Sequence, residues 1–247
     1  TANYAILKDG SALIEMAKVS GLAMIDEADR DAGKSSSFGT GLMIKHAIES
    51  GCRKIYLAVG GTASTDGGAG ILQALGFELI DKDGKDIPLG GSGLLHLEKI
   101  LLPDKPDLLR NISFEILCDV SNPLLGEQGA AKVFSPQKGA GDQLVEKLEM
   151  GMEHFAGMIK KDFGKQINQP EFSGAAGGTP AGLSAFLNVR CRFGAEVLFL
   201  LNNIEKQLKD SDLVITGEGK LDEQSFQGKA PYLLSKLCRK HGKTIIF

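Results

Sequence analysis

Lys54-Ile-Tyr-Leu-Ala-Val-Gly-Gly-Thr-Ala-Ser-Thr-Asp-Gly-Gly-Ala-Gly-Ile-Leu-Gln-Ala-Leu75 is the stretch that decides the fold. It opens on an unbroken apolar run, passes through a loop of small and hydroxyl side chains, and resumes at Ala69 with helical character. A strand with no polar alternation is covered on both faces, as in a parallel sheet flanked by helices. The same unit recurs in both directions. Upstream, Gly39 to Ser50 reads as a helix, preceded by a strand pair, Tyr4-Ala-Ile-Leu7 and Ala12-Leu-Ile-Glu-Met16, joined by the turn Lys8-Asp-Gly10. Downstream come a hairpin, Phe77-Glu-Leu-Ile80 with the turn Asp81-Lys-Asp-Gly84, and the strand Phe114-Glu-Ile-Leu-Cys118. An amphipathic helix follows from Gln143 to Lys161, then a Gly- and Ala-rich flexible joint over 171–178. The last part reads as helices over 181–187, 196–208 and 232–241, with strands Leu213-Val-Ile-Thr216 and Thr244-Ile-Ile-Phe247. This order predicts an α/β protein with a largely parallel sheet.

Composition narrows the function. With 43% hydrophobic and 24% charged residues, the chain can bury a sizeable core, which excludes a disordered protein. A net charge of -3 with scattered Lys and Arg leaves no basic stripe to neutralise a nucleic-acid backbone. No apolar run reaches the roughly 18 residues of a membrane span. Cys52, Cys118, Cys191 and Cys238 lie far apart and form no disulfide framework, so the chain reads as cytoplasmic. Both ends cut into apparent strands and read as interruptions of a longer chain. A homodimer is left open.

An anionic ligand would then be held locally, by glycine loops and helix N-termini. In Gly60–Gly70, five glycines admit close backbone approach, Thr62, Ser64 and Thr65 add hydroxyls, and Asp66 adds a carboxylate that could hold Mg²⁺ or accept a proton. The alternative is a tight turn with Asp66 capping the next helix. The loop is not a P-loop, since G-x-x-x-x-G-K-[ST] occurs nowhere and Gly228-Lys229-Ala230 is only a near miss. A second loop, Gly217-Glu-Gly-Lys-Leu-Asp-Glu-Gln-Ser225, leads on to Gly228-Lys229-Ala-Pro231; it presents Glu218 and Asp222 after a strand, or is a solvated charged loop. A third group joins Cys118-Asp-Val-Ser-Asn-Pro123 to Phe134-Ser-Pro-Gln-Lys-Gly139: Asp119 directly follows a strand, and Gln137 and Lys138 could reach a phosphate or carboxylate, or serve as turn residues. A fourth, Gly174-Ala-Ala-Gly-Gly-Thr-Pro-Ala-Gly182, reads as a hinge or an anion-binding turn, with Thr179 as helix N-cap. His46, His96, His154 and His241 show no metal-ligand spacing.

Taken together and in order, these segments resemble the glycerate kinase family of the bacterial type, which lacks a P-loop. The resemblance rests on Ile14-Glu-Met-Ala17 with Ser20-Gly-Leu22, Phe38-Gly-Thr-Gly41, the Gly60–Gly70 loop, Cys118-Asp-Val-Ser-Asn-Pro-Leu-Leu-Gly126, Gly129-Ala-Ala with Phe134–Gly139, Ala175-Ala-Gly-Gly178, and Val214-Ile-Thr-Gly-Glu-Gly-Lys-Leu-Asp222 with Gly228–Pro231. It covers the chain as the central portion of a longer family member, without the family's first and last segments. It implies two α/β lobes with the active site in the cleft between them, one Rossmann-like with a largely parallel sheet (1–50 and 175–247) and one with a mixed sheet (51–174). It also implies ATP and Mg²⁺ as cofactors and D-glycerate as substrate, phosphorylated at its 2- or 3-hydroxyl. On this basis Asp66 and then Asp119 are the candidate catalytic residues, with Asp66 and Asp222 as metal ligands. Gly60, Gly61, Thr62, Ser64, Thr65, Gly217, Glu218, Gly219 and Lys229 are the candidate nucleotide-binding residues, and Ser37, Thr40, Asn122, Gln137 and Lys138 the candidate substrate-binding residues. Two alternatives are a kinase of another small hydroxy or sugar acid and a non-catalytic domain that senses a phosphorylated metabolite. The carboxylates beside the glycine loops favour an enzyme, because an anion sensor gains nothing from acids near its ligand.

Overall fold

Ile55, Tyr56 and Leu57 are all buried, which is why the run Lys54 to Ala58 shows no polar alternation. The structure, a computed structural model, describes residues 2–104, 106–168, 171–217 and 229–247. The chain divides into two compact units, Thr1–Cys191 and Arg192–Phe247.

The first unit begins with β1 (Ala5–Ile6) and β2 (Ala12–Glu15), an antiparallel pair closed by the expected turn at Gly10 (φ 80°). Helix α1 (Phe38–Glu49), strand β3 (Lys54–Ala58) and helix α2 (Ala69–Ala74) follow. Next come β4 (Glu78–Ile80), β5 (Lys99–Leu101), α3 (Pro106–Arg110) and β6 (Ser113–Cys118). The unit continues through α4 (Ala130–Phe134), α5 (Asp142–Phe163) and α6 (Ala175–Phe186), and the chain leaves it along β7 (Asn188–Phe193). The main sheet has the order β1-β2-β3-β6-β7. Strands β2, β3 and β6 run parallel in the registers Ala12↔Ile55 and Ile55↔Phe114, so their carboxyl ends share one edge. Around them Ile14, Ile44, Leu57, Ile71, Phe114 and Phe155 form one core, each fully buried apolar side chain contributing roughly 1.5–3 kcal/mol. On α5, Leu148, Met152, Phe155 and Ile159 are buried at helical spacing, as the amphipathic pattern predicts.

Three expectations change. The turn at Asp81 forms, with Asp81 Oδ1 accepting from the Asp83 and Lys85 amides (2.9 Å each), but β4 pairs in register with β5. The returning strand pairs only as far as Ile87, and Pro88 after it has no N–H to continue the ladder. The segment 171–178 is no loose joint: Ala176, Gly177 and Gly178 adopt left-handed backbone angles inside α6, and both glycines are buried. Thr179 Oγ1 donates back to the Ala176 carbonyl (2.9 Å) instead of capping the helix ahead. The units also differ from the grouping of 1–50 with 175–247 against 51–174. Strands β2 and β3 lie side by side in one sheet, so residues before and after position 50 share a core.

The second unit contains α7 (Gly194–Leu201), α8 (Ile204–Lys209), β8 (Leu213–Ile215), α9 (Ala230–His241) and β9 (Thr244–Ile246), with β8 and β9 parallel. The single helix expected over 196–208 is two, broken at Asn203 (φ 51°), a residue type that tolerates the left-handed region. Glu205 accepts from both Lys240 and His241 (2.7 Å each), joining α8 to α9. Among the described residues no helix is long and apolar enough to cross a membrane.

At Gly177 both the backbone angle and the surrounding space exclude a side chain. Its φ is +66°, and a Cβ there would lie 2.2 Å from the Ser64 carbonyl oxygen and 2.6 Å from the Thr65 Cα. Gly177→Ala is expected to cost about 3–5 kcal/mol, read as a large drop in thermal midpoint or in soluble yield.

Candidate functional site

Beyond β3 the chain turns through Val59-Gly60-Gly61-Thr62, with Gly61 in the left-handed region (φ 68°). Backbone hydrogen bonds from Leu22 N to Gly61 O (2.9 Å) and from Ala63 N to Ser20 O (2.8 Å) fix this turn against residues 20–22. Asp66 then closes the loop from inside. It is fully buried, and its Oδ2 accepts from Ser37 N (2.8 Å), Ser37 Oγ (2.9 Å), Ser36 Oγ (3.4 Å) and Gly70 N (3.4 Å), while Oδ1 accepts from Gly68 N (3.1 Å). The acid thereby satisfies amides at the start of α2 and ties them to the start of α1, in keeping with the negative charge that a helix N-terminus favours.

This arrangement revises several sequence expectations. Asp66 braces the start of α2 through the Gly68 and Gly70 amides, but the N-cap position itself is Gly68; the carboxylate expected as base and Mg²⁺ ligand faces internal donors. Ser37 is part of the same knot, its Oγ also accepting from Ile71 N (3.1 Å), and Thr40 is paired with Ser20 (2.9 Å). Both are fully buried and neither lines the cavity where β3 and β6 end. Ser64 and Thr65 are likewise buried, their hydroxyls without a hydrogen-bond partner among the described residues. Asn122 braces a loop by donating to the Gln128 carbonyl (2.9 Å).

The remaining candidates of the first unit converge. A cavity of about 280 Å³ opens where β3 and β6 end, lined by Gly60, Gly61 and Thr62 on one side, by Asp119 after β6, and by Gln137 and Lys138 from the turn Pro136–Lys138. Parallel sheets place ligands at this edge. Asp119 is exposed, while Lys138 is buried and donates to the Ser64 carbonyl (2.7 Å). Burial lowers the Lys138 pKa to about 8, and the Asp66 carboxylate partly counters that shift. An ammonium carries three donors, so two remain for an anion. The arrangement can therefore bind an anionic group at Lys138 and receive a proton at Asp119. Sequence reasoning missed the apolar wall of Leu22, Val59, Val120, Phe134, Ala175 and Ala176. For Val59 and Val120 a signal existed, because they flank Gly60 and Asp119 in the chain; Leu22 arrives through a long-range contact.

In the second unit, Gly217 follows β8 and Lys229 stands at the N-cap position of α9. Glu218, Gly219 and Asp222 lie outside the described residues. Among the described residues no three His, Cys, Asp or Glu side chains come together as a metal-binding group.

A family model described as "Glycerate kinase family" matches residues 1–247. The chain is similar to the glycerate 2-kinase of Escherichia coli (strain K12), at 40% identity over 246 residues covering 99% of this chain and 65% of that protein. It is also similar to the glycerate kinase of Halalkalibacterium halodurans, at 38% identity over 246 residues with the same two coverages. A crystal structure of a protein assigned as glycerate kinase 2 from Salmonella typhimurium LT2 superimposes with a TM-score of 0.87 and 41% identity, over 99% of this chain and 66% of that one. The chain thus spans just under two thirds of the length of these relatives.

Two predictions follow from the electrostatics. Sulfate binding followed by calorimetry should be strongest below pH about 7 and weaken roughly tenfold per unit above about 8, as the Lys138 ammonium becomes neutral, and Lys138→Met should abolish it. Asp66→Ala should cost about 3 kcal/mol in a thermal or denaturant melt, because it orphans several buried donors together.

Proposed function

The chain belongs to the glycerate kinase family, and from that premise we propose that it transfers a phosphoryl group from ATP to a hydroxyl of D-glycerate. The observation that carries this reading is the cavity at the sheet edge, where an exposed carboxylate and a buried ammonium face the same small space. Its volume of about 280 Å³ lies just below the usual range of ligand pockets, roughly 300–1,000 Å³, which suits a three-carbon acid and a phosphoryl group.

Phosphoryl transfer asks a protein mainly for positioning and charge neutralisation. Lys138, with Gln137 beside it, holds the glycerate carboxylate, and burial of the ammonium strengthens that attraction relative to water. Asp119 accepts the proton of the attacking hydroxyl. The base role expected first for Asp66 passes to Asp119, since Asp119 reaches the cavity and Asp66 does not. The turn Gly60-Gly61-Thr62 brings main chain to the cavity wall beside the transferred group. Gly217 and Lys229 are proposed to contribute to nucleotide binding, with Glu218 and Gly219 of the same loop, and Asp222 is proposed as a Mg²⁺ ligand.

The residues present also accommodate Mg²⁺, which keeps several waters and binds through one or two carboxylates plus substrate phosphates. Asp119 would hold it through one oxygen, leaving the other for the proton. When bound, the ion offsets charge on the phosphates. The four cysteines are all free thiols, which supports a reducing cytoplasmic setting.

The test is ADP release by the full-length protein with ATP, Mg²⁺ and D-glycerate. Asp119→Asn should lower kcat/KM at least ~100-fold, equivalent to about 2.7 kcal/mol of transition-state stabilisation, and leave the melting midpoint unchanged. Release stimulated only by another hydroxy acid would reassign the substrate; no stimulation by any would turn the reading toward a metabolite sensor.

A further inference from the structure

The loop glycines differ in what demands them. Gly61 has φ +68°, so the backbone itself requires a glycine there. Gly70 and Gly21 are held by space: a Cβ on Gly70 would lie 2.4 Å from Ser36 Oγ and 2.5 Å from Phe38 N, and one on Gly21 would lie 2.1 Å from the Ala17 carbonyl oxygen. Gly60 meets neither condition. It is absent from the residues with positive φ, and a Cβ built on it meets a single atom within 4 Å, Asp119 Oδ2, at 3.9 Å, an ordinary van der Waals contact. Among the described residues, neither the backbone nor the packing needs a glycine at position 60.

What lies there is the cavity. Gly60 lines it directly after β3, and the space its missing side chain leaves adjoins the Asp119 carboxylate. A hydroxyl handing its proton to that carboxylate must come within about 2.6–3.2 Å of it, and the carbon bearing it needs room alongside. A methyl at 3.9 Å from Oδ2 would occupy one side of that approach and displace the water that solvates the acid. We propose that Gly60 determines acceptor specificity: the absence of its side chain reserves the volume beside Asp119 for the hydroxyl-bearing carbon of a small hydroxy acid. The inference rests on the kinase reading and adds to it a residue that sets how large an acceptor fits.

An opposition between stability and activity follows. A glycine that the fold does not require is entropically unfavourable, so alanine at position 60 should hold or raise stability while it lowers activity. A glycine kept for structural reasons would lose both together.

The experiment compares full-length wild type, Gly60→Ala, Gly60→Val and Gly157→Ala, the last at an exposed glycine of α5 with open space around its Cβ. Melting midpoint, kcat/KM for D-glycerate and KM for ATP are measured for each. Expected are a Gly60→Ala midpoint at or above wild type, kcat/KM for D-glycerate at least tenfold lower, a larger loss for Gly60→Val, and an ATP KM within twofold of wild type; Gly157→Ala keeps wild-type kinetics with a midpoint at or above wild type. Wild-type kcat/KM in Gly60→Ala, a loss that follows a fallen midpoint, or a loss confined to the ATP KM each overturns the proposal. If wild type itself releases no ADP in response to D-glycerate, the kinase reading fails and this inference with it, an outcome separate from the other three.

Discussion

The Asp66 carboxylate is the interaction on which the first unit depends. A fully buried charge is costly unless hydrogen bonds compensate it, and this one receives donors from Ser36, Ser37, Gly68 and Gly70. Those donors belong to the starts of two helices that follow different strands, so one side chain sets both the direction of α2 and its place beside α1. Its negative charge has a further effect. It favours the charged form of buried Lys138 and offsets part of the desolvation that would otherwise discharge that amine.

Lys138 and Asp119 illustrate how location divides labour between two charges. The amine lies inside, held by the Ser64 carbonyl, where low polarity strengthens its attraction for an anion. The acid stands in the open at the end of β6, exposed to solvent. Both environments lie within one small cavity. The edge of a parallel sheet supplies them, because turns leaving neighbouring strands meet there while each strand's body stays buried.

Glycine in this protein serves close approach of backbones more than flexibility. Gly67 N donates to Gly177 O (2.9 Å), and a Cβ on Gly182 would lie 1.9 Å from the Gly67 carbonyl oxygen. Helix α6 therefore rests on the loop after β3 main chain to main chain, with no side-chain layer between. The left-handed turn at 176–178 is the form the chain takes to make that contact. A segment whose composition suggests a loose joint is among the most tightly packed parts of the unit.

The sequence by itself determined the α/β class, the buried parallel strand at 54–58, the long helix at 142–163 and the family, because these rest on local periodicity and on an ordered set of motifs. Asp119, Gln137 and Lys138, singled out because they follow a strand end or lie in a turn, line one cavity. Which acid lines the cavity was not legible. Asp119 follows its strand directly and Asp66 follows another through a loop, and only the folded chain brings Ser37 from 29 residues away to enclose one while the other stays open. The same holds for Ser64, Thr65 and Thr40, whose hydroxyls suggest binding until packing turns them inward. Burial is a property of the assembled layers, and a residue's neighbours in sequence do not fix it.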